Sequence, residues 1–387
     1  MKTAAIVAEY NPFHKGHEYQ IAETRKAGAT HVVAVMSGNF VQRGEPAVYD
    51  KFLRAKAALE CGADLVVELP LPWAMSGAQS FARGAVSIAK ALGCVDMLSF
   101  GCEIGNFEKL KELAETIYSA DFQNKVSNFV KGKDSFAQAR QAAAASLCGE
   151  ETASLLSEPN NILAVEYIAA AKLFKCQFEF NAVARMGDGY NAFAHSGKGF
   201  ASATAIREQI KNNKLDLSLV PDCLNEVYTS DFADISRLDS ALLYSLRRLT
   251  VDDIKNAPDI SEGLENYIYS AVQKAKTVSQ LFDLLKTKRY THARLRRIIM
   301  SLFLGLTAEH TKGLPPYIRL LACSDRGREI LSCAKPALPV IGRALQAKSL
   351  EGRGKEIFEL ECKADDIFAL CFSPARECGE SFRQKLN

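Results

Sequence analysis

A chain of 387 residues in which 48% are hydrophobic can bury a large core, and this length favours two or three domains over one. The formal net charge of +3 is too small to indicate a nucleic-acid partner by itself, so such a partner must be inferred from local clusters of charge. The eleven cysteines form no CxxC pair and no spacing typical of a zinc site, and the apolar stretches are too short for a signal sequence or a membrane span. We therefore expect a cytoplasmic protein with free thiols and no membrane partner.

The first hundred residues alternate short apolar runs with longer helical patterns. The apolar runs, which are rich in β-branched residues, are residues 4–8, 31–36, 64–69 and 95–100. The helical patterns between them are residues 16–27, 49–61 and 76–92, and each is followed by a glycine suited to a helix C-cap, at Gly28, Gly62 and Gly93. This alternation predicts an α/β domain with a parallel sheet.

Loops at the carboxyl ends of these strands are the first places to look for chemistry, because ligands of open parallel sheets bind there. The loops are residues 9–17, 37–43, 70–73 and 101–103. Residues 107–160 are helical in character, and we expect them to form an insertion. A helix over 162–174 follows, and then a run of period two over 178–185 that can return to the sheet as a fifth strand.

From about residue 215 the chain changes character, and helical patterns dominate. They cover residues 237–249, 260–276, 279–285 and 292–304, and a mixed patch lies in the last hundred residues. The sequence therefore predicts a catalytic domain over 1–214 and a second, mainly helical domain over 215–387.

The segment His14-Lys15-Gly16-His17 follows a predicted strand and opens a predicted helix. The amino end of a helix offers unpaired N–H groups and a partial positive charge, which suit phosphate, and Gly16 allows the backbone to approach a ligand closely. Two histidines three residues apart lie on the same side of the first turn, so both can contact one anion and stabilise charge that builds up on phosphorus. The alternatives are that the histidines cap a surface helix or bind a metal as a pair, for which no third ligand is evident.

The wider segment 8–17, AEYNPFHKGH, resembles the HxGH signature of the nucleotidylyltransferase superfamily and, more narrowly, the AEYNPFHxGH opening of the tRNA(Met) cytidine acetate ligase family. Later segments agree with the narrower family, and together they cover most of the chain. They are 36–46 (MSGNFVQRGEP), 64–70 (DLVVELP), 99–101 (SFG), 159–163 (PNNIL), 185–187 (RMG), 202–207 (SATAIR) and 290–297 (YTHARLRR). The resemblance implies a Rossmann-like parallel-sheet nucleotidyltransferase domain followed by a mainly helical domain.

The resemblance also implies an ATP site. The implied catalytic residues are His14 and His17, and the implied ATP-binding residues are Val7, Ala8, Glu9, Tyr10, Asn11, Pro12, Phe13, His14, Lys15, Gly16, His17, Gly101, Asn161, Arg185, Thr204 and Arg207. Residues 202–207 resemble an SSTxxR element that faces the β- and γ-phosphates, with Ala203 at its second position; the alternative is an ordinary N-cap and a solvated arginine. Gly101 either lets adenine or ribose lie against the backbone or is a turn glycine, and Asn161 either contacts the ligand or caps a helix.

Other polar residues lie near the end of the second predicted strand. Three of them either reach a substrate or are merely solvated, namely Asn39, Gln42 and Arg43. Asp50 is expected to cap the next helix, and Lys51 and Arg54 are expected to be surface charges without a catalytic role.

Residues 286–297 hold six basic residues, a tyrosine and no acidic residue. This pattern is typical of a surface that contacts RNA phosphates, although basic helix faces are often only solvated. The resemblance favours the RNA interpretation. The residues expected to contact tRNA are Lys288, Arg289, Arg294, Arg296 and Arg297, and Arg319, Arg326 and Arg328 are expected to extend the patch.

The reaction that the resemblance implies is ATP-dependent ligation. Acetate attacks the α-phosphorus of ATP, pyrophosphate leaves, and acetyl-AMP acetylates N4 of the wobble cytidine of elongator tRNA(Met), giving N4-acetylcytidine. No residue specifies acetate over another small acid, and Mg²⁺ is expected from ATP chemistry although no ligand can be assigned. Two alternatives remain, a small-molecule adenylyltransferase that does not use RNA and a non-catalytic RNA-binding protein with a nucleotide pocket. The sequence does not indicate an oligomeric state.

Overall fold

The computed structural model describes residues 1–103, 107–130, 136–186, 199–229, 231–287 and 289–384. Its strands are β1 (Thr3–Ala8), β2 (His31–Ser37), β3 (Phe40–Val41), β4 (Glu45–Pro46), β5 (Leu65–Leu69), β6 (Met97–Cys102), β7 (Glu179–Ala184), β8 (Ile318–Cys323) and β9 (Val340–Ile341). One sheet has the strand order β7-β6-β1-β2-β5-β8-β9, and β3 and β4 form a separate hairpin. Within the sheet, β7, β6, β1, β2 and β5 run parallel to their neighbours in that series. The predicted α/β fold with a parallel sheet of five strands is confirmed.

Helices surround the sheet and fill most of the remaining chain. In the first half they are α1 (Lys15–Lys26), α2 (Lys51–Glu60), α3 (Leu71–Ala74), α4 (Ala78–Ala91), α5 (Phe107–Ile117), α6 (Ala120–Val130), α7 (Phe136–Ser154), α8 (Pro159–Leu173) and α9 (Ala203–Lys211). In the second half they are α10 (Asp239–Arg247), α11 (Val251–Lys255), α12 (Leu264–Lys274), α13 (Val278–Leu285), α14 (His292–Leu304), α15 (Asp325–Cys333), α16 (Gly352–Phe368) and α17 (Glu380–Arg383). Short 3₁₀ turns lie at Leu155–Ser157, Leu217–Leu219, Asp222–Leu224, Val227–Thr229, Ile235–Leu238, Glu309–Thr311, Ala344–Ser349 and Ala369–Cys371.

Alternate residues of the central strands enter two hydrophobic cores on opposite faces of the sheet. Val33 and Val35 of β2 belong to the core that includes residues of α4 and α8. Val32 and Ala34 belong to the core that includes residues of α1, α2 and α9. Every residue of β2 is buried, as expected of a parallel strand that is covered by helices on both faces. At β2, a ligand can therefore approach the sheet only from the strand ends.

The sheet also receives two strands from the region that we predicted to be mainly helical. β8 pairs antiparallel with β5, and β9 pairs parallel with β8. The mixed patch in the last hundred residues thus packs with the first 214 residues. The domain boundary at residue 214 stays a prediction. The pairing of β8 with β5 shows in addition that the chain returns to the sheet after this boundary.

A third hydrophobic core lies among the helices of the second half. It is formed by residues of α10, α12, α13, α14 and α16, and Phe40 of the β3–β4 hairpin and Leu71 of α3 also belong to it. The helical unit therefore packs directly on segments that follow the carboxyl ends of β2 and β5. Within the described ranges, no helix combines the length and apolarity that crossing a bilayer requires.

Candidate functional site

The HxGH motif occupies the turn between β1 and α1. β1 ends at Ala8, and α1 begins at Lys15 with His14 as its N-cap residue. The ring nitrogen Nδ1 of His14 accepts the backbone N–H of Gly16 at 3.0 Å. The Nδ1 of His17 accepts the backbone N–H of His14 at 3.2 Å. The helix start therefore uses one ring nitrogen of each histidine as a cap.

These two hydrogen bonds determine which nitrogen of each ring carries the proton. In a neutral imidazole, the nitrogen that accepts an N–H carries no hydrogen of its own, so the proton lies on Nε2 in both histidines. The two rings stack with their centroids 3.9 Å apart. Two neighbouring Nε2–H donors are therefore available to one anion.

Both histidines are neutral at pH 7. Burial, followed by the charges of Arg185 and Arg207, lowers the pKa of His14 to about 3. Loss of solvent also lowers the pKa of His17 well below its ordinary value, with further contributions from His14 and Arg185. The pair can thus contact an anion as hydrogen-bond donors without introducing a buried positive charge.

Two cavities share the histidine pair as part of their walls. The first of them is the larger. The predicted ATP-binding residues that line the larger cavity are Val7, Ala8, Glu9, Tyr10, Asn11, His14, His17, Gly101, Arg185 and Arg207. Those that line the smaller cavity are His14, Gly16, His17, Gly101 and Arg185. The fold thus brings four separate segments of the sequence around one site.

The remaining predicted residues do not line either cavity. They are Pro12, Phe13, Lys15, Asn161 and Thr204. Phe13 is fully buried, and its carbonyl oxygen accepts a hydrogen bond from the hydroxyl of Tyr228 at 2.5 Å. The Thr204 hydroxyl accepts from Nη2 of Arg207 at 3.2 Å. Phe13 and Thr204 therefore hold the residues that do face the cavities.

Asn161 lies in the first turn of α8, whose N-cap residue is Glu158, so the capping alternative for Asn161 is wrong. Its Oδ1 accepts the backbone N–H of Glu103 at 3.0 Å. The side chain is fully buried, and its Nδ2 donor has no hydrogen-bond partner in the described part of the chain. Because a buried donor without a partner costs free energy, this amide suits a residue that donates to a ligand.

Arg207 is held against the turn of the motif. Ser202 caps α9 by accepting the N–H of Ala205 at 3.1 Å, which confirms the predicted N-cap. Nη1 of Arg207 donates to the carbonyl oxygen of Asn11 at 2.7 Å, and only 8% of the arginine is exposed. The alternative of a solvated arginine is therefore wrong, because the guanidinium lies between the motif and the larger cavity.

Comparison with known proteins identifies the family. The family model HIGH Nucleotidyl Transferase matches residues 1–382. The tRNA(Met) cytidine acetate ligase of Caldanaerobacter subterraneus subsp. tengcongensis is 38% identical over 395 residues, which cover 96% of this chain and 96% of that protein. The chain belongs to the tRNA(Met) cytidine acetate ligase family. The ligase of Acetivibrio thermocellus is 34% identical over 415 residues, with coverage of 100% and 99%.

Solved structures of a similar protein agree with this assignment to the ligase family. The apo crystal structure of Thermotoga maritima TmcAL has a TM-score of 0.91 and 32% identity, covering 100% of this chain and 99% of that one. The structure of Thermotoga maritima TmcAL bound with alpha-thio ATP has a TM-score of 0.87 and 31% identity, with coverage of 98% and 97%. The likeness therefore extends over the sheet and the helical unit together.

One wall of the larger cavity, most of it apolar, was not predicted from the sequence. The unpredicted lining residues are Gln20, Phe81, Phe100, Asn160, Leu163 and Tyr167. A signal was available on α8, since Asn160, Leu163 and Tyr167 are spaced by three and four residues and so share one helix face. Phe100 directly precedes Gly101 at the end of β6. Flat apolar side chains beside a glycine provide a surface for a base or ribose.

The polar residues of the loop after β2 lie in two different environments. Gln42 and Arg43 line the larger cavity, so these two side chains of the loop are placed to reach a substrate. Asn39 is buried instead, where its Nδ2 donates to Oδ1 of Asp365 at 2.8 Å and its Oδ1 accepts the N–H of Lys51 at 2.7 Å. Asn39 therefore fixes the loop rather than reaching a ligand.

Lys51 was predicted to be a surface charge, and this prediction is wrong. Its ammonium group is fully buried and lies 2.8 Å from Oε1 of Glu68 and 2.8 Å from Oδ2 of Asp365. Arg319 lies in the same cluster, 3.3 Å from Oε2 of Glu68, with 3% of its surface exposed. Arg319 therefore does not extend the basic patch. Its partners come from α16 and β5, which only tertiary packing brings together.

Arg54 was also predicted to be a surface charge, and it too is buried. Its guanidinium donates to the carbonyl oxygens of Tyr49 at 2.9 Å, Glu9 at 2.5 Å and Ser37 at 3.1 Å. Backbone carbonyls beyond the ends of β1 and β2 have no strand partners, and the arginine satisfies them. Asp50 caps α2 as predicted, since it accepts the N–H of Leu53 at 2.9 Å.

The predicted tRNA-binding arginines on α14 turn partly inward. Nη1 of Arg296 lies 3.0 Å from Oε2 of Glu45, and the other oxygen of Glu45 lies 3.9 Å from Nε of Arg207. Nε of Arg297 lies 3.7 Å from Oδ2 of Asp259, and its side chain is only 14% exposed. These two arginines therefore pair with carboxylates of the protein itself. Both also contact the β3–β4 hairpin, Arg296 through Glu45 and Arg297 by donating to the carbonyl oxygen of Gln42 at 3.4 Å.

The other predicted tRNA-binding residues lie before and at the start of α14. Lys288 lies outside the described residues. The guanidinium groups of Arg289 and Arg294 lie 5.4 Å and 5.0 Å from the centre of the Tyr290 ring. Arg294 also donates to the carbonyl oxygen of Asp259 at 2.6 Å. A tyrosine with two arginines against its ring therefore marks this end of the predicted stripe.

Proposed function

We propose that this chain is an ATP-dependent acetate ligase that acts on elongator tRNA(Met). In the first step a carboxylate oxygen of acetate attacks the α-phosphorus of ATP, the bond from that phosphorus to its bridging oxygen breaks, and pyrophosphate leaves. In the second step N4 of the wobble cytidine attacks the carbonyl carbon of acetyl-AMP, AMP leaves, and N4 loses a proton. Membership of the family and the relative bound with alpha-thio ATP support this reaction.

The observation that carries the proposal is the pair of hydrogen bonds on Nδ1 of His14 and His17. They leave Nε2–H as the donor of each neutral ring, and both rings line the same two cavities. Charge on the non-bridging oxygens of the α-phosphate increases as the acetate oxygen attacks, so donors aimed at these oxygens stabilise the transition state more than the ground state. His14 and His17 are therefore the proposed catalytic residues.

Three further residues are proposed to hold the nucleotide. Arg185 and Arg207 line the larger cavity together with His14, which supports a role for both in binding the phosphates. Arg207, fixed by the carbonyl of Asn11, would face the departing pyrophosphate. The buried Nδ2 donor of Asn161 would contact the nucleotide from α8.

Magnesium is expected with ATP, and the described residues offer it no dedicated cluster of ligands. Among the described residues, no group of three or more His, Cys, Asp or Glu side chains could hold a metal ion. Mg²⁺ bound to nucleotides commonly takes its ligands from phosphates and water. We therefore assign no step of the reaction to a protein-bound metal.

The direct test is to incubate the purified chain with ATP, isotope-labelled acetate and a tRNA(Met) transcript, and then to analyse the digested nucleosides by mass spectrometry. We expect labelled N4-acetylcytidine with the wild-type chain and none with His14→Ala. A transcript with uridine at the wobble position is the matched substrate control. Absence of labelled N4-acetylcytidine with a folded wild-type chain would contradict the proposal.

The two alternatives give different results in the same experiment. A small-molecule adenylyltransferase would consume ATP without modifying the transcript, and a non-catalytic RNA-binding protein would bind the transcript without consuming ATP. The match to the ligases covers the helical unit as well as the sheet. It therefore supports the ligase proposal over both alternatives.

A further inference from the structure

A basic groove lies on the helical unit, and its lining includes no residue of the basic stripe that the sequence indicated. It is lined by Ser240, Leu243, Tyr244, Arg247, Arg248 and Lys276. The side chains come from α10 and from the segment between α12 and α13. Because these segments are separated along the chain, the cluster of three cations exists only in the folded protein.

The aromatic residue of the groove is unusually exposed. Tyr244 has 65% of its surface accessible, and the guanidinium of Arg248 lies 5.6 Å from the centre of its ring. Nη1 of Arg248 also donates to the Tyr244 hydroxyl at 3.4 Å. The arginine thus holds the tyrosine ring at the surface, where one side of it can meet a flat partner.

The cations of this groove differ from the inward-turned arginines of α14 in their partners. In the described ranges, Arg247, Arg248 and Lys276 have no carboxylate at ion-pairing distance, whereas Arg296 and Arg297 each have one. Arg247 donates to the carbonyl oxygen of Ala275 at 2.8 Å, which leaves its positive charge unneutralised. Exposed cations without a carboxylate partner attract anionic ligands, while neutralised ones contribute little. The groove is therefore a better site for phosphates than the inward-turned arginines.

We propose that this groove is an RNA-docking surface, in which Tyr244 stacks on a base and Arg247, Arg248 and Lys276 contact flanking phosphates. Unpaired bases of RNA stack readily on aromatic side chains, and basic residues beside the aromatic ring follow the backbone. The stack of Arg289 and Arg294 on Tyr290 repeats this chemistry elsewhere in the helical unit. The inference rests on the proposed tRNA substrate and names the surface that holds it.

The test compares tRNA(Met) binding by wild type, Tyr244→Ala and Arg248→Gln/Lys276→Gln over a series of salt concentrations. Loss of one stacked base should weaken binding at least about fivefold. Loss of each phosphate contact should reduce the slope of log K against log salt by about 0.7 to 0.9. Two controls should leave both values unchanged. They are Lys355→Gln, an exposed lysine that lies 3.9 Å from Glu359, and Tyr269→Ala, an exposed tyrosine with no arginine against its ring in the described chain.

Acetate-dependent exchange of pyrophosphate into ATP, measured without tRNA, separates the two proposals. The groove variants should exchange at the wild-type rate and keep the wild-type melting temperature, with only the KM for tRNA raised. No exchange by the wild-type chain would reject the ligase reaction, whatever the tRNA affinities are. Normal exchange together with unchanged tRNA affinity in both groove variants would overturn the proposal that the groove docks RNA.

Discussion

The neutral state of His14 can be tested by lowering the pH. With a folded-state pKa of about 3, only about 1% of His14 is protonated at pH 5, whereas about 97% of a histidine with the ordinary pKa of 6.5 would be. The unfolded chain takes up this proton below pH 6.5, and the folded chain does not until near pH 3. The folded state is therefore destabilised as the pH falls through this window, by about 2 kcal/mol between pH 7 and pH 5 from His14 alone.

Histidine NMR provides the assay. The chain has six histidines, so ¹⁵N-labelled histidine gives few signals, and His14→Asn assigns the one of interest. We expect the His14 ring to keep its hydrogen on Nε2, with Nδ1 unprotonated, from pH 7 down to pH 5. The difference in unfolding free energy between His14→Asn and wild type should move in favour of the variant over the same range. A His14 ring that titrates above pH 5, or that carries its hydrogen on Nδ1, would refute the neutral-donor argument.

Two further predictions concern the contacts that hold the site in place. Gly44→Ala should lower the melting temperature and slow the exchange reaction, because φ is +72° and a Cβ there would lie 2.4 Å from the backbone nitrogen of Arg297. Gly263→Ala is its control, since φ is +83° but no atom lies within 4 Å of the added carbon; equal losses in both variants would show that the contact with α14 is unimportant. Lys51→Met should destabilise the chain by about 3 to 5 kcal/mol in denaturant unfolding, because it removes the buried ammonium group that lies between the carboxylates of Glu68 and Asp365. Lys56→Met, at a side chain that is 64% exposed, should change stability by less than about 0.5 kcal/mol, and a similar small effect at Lys51 would contradict the buried cluster.

The parts of the structure that follow from local patterns could be predicted from the sequence. The apolar run that became β2 and the glycines after α1, α2 and α4 depend on neighbours in the chain, and Gly28, Gly62 and Gly93 all have positive φ. The motif at His14 and His17 is local in the same sense. Its position at a strand-to-helix turn was therefore evident before the fold was known.

The surroundings of individual charges could not be predicted in this way. Lys51 and Asp365 are 314 positions apart, and Arg296 reaches Glu45 across 251 positions. A basic side chain has the same local pattern whether its partner is solvent or a distant carboxylate. For this reason the sequence placed Lys51 at the surface and grouped Arg296 with the exposed arginines.

The return of the chain to the sheet was missed for a related reason. The segment that forms β8 is only six residues long and lies among helical patterns. Its place beside β5 depends on pairing with residues more than 250 positions earlier. A short apolar run without a neighbouring strand in sequence does not distinguish a sheet edge from a buried helix segment.

The proposed chemistry depends most directly on one measurement, the exchange of labelled pyrophosphate into ATP in the absence of tRNA. If acetate attacks the α-phosphorus in a reversible first step, exchange requires acetate and falls by at least about a hundredfold in His14→Ala. Exchange that proceeds equally well without acetate, or that His14→Ala leaves unchanged, would contradict the proposed reaction at this site.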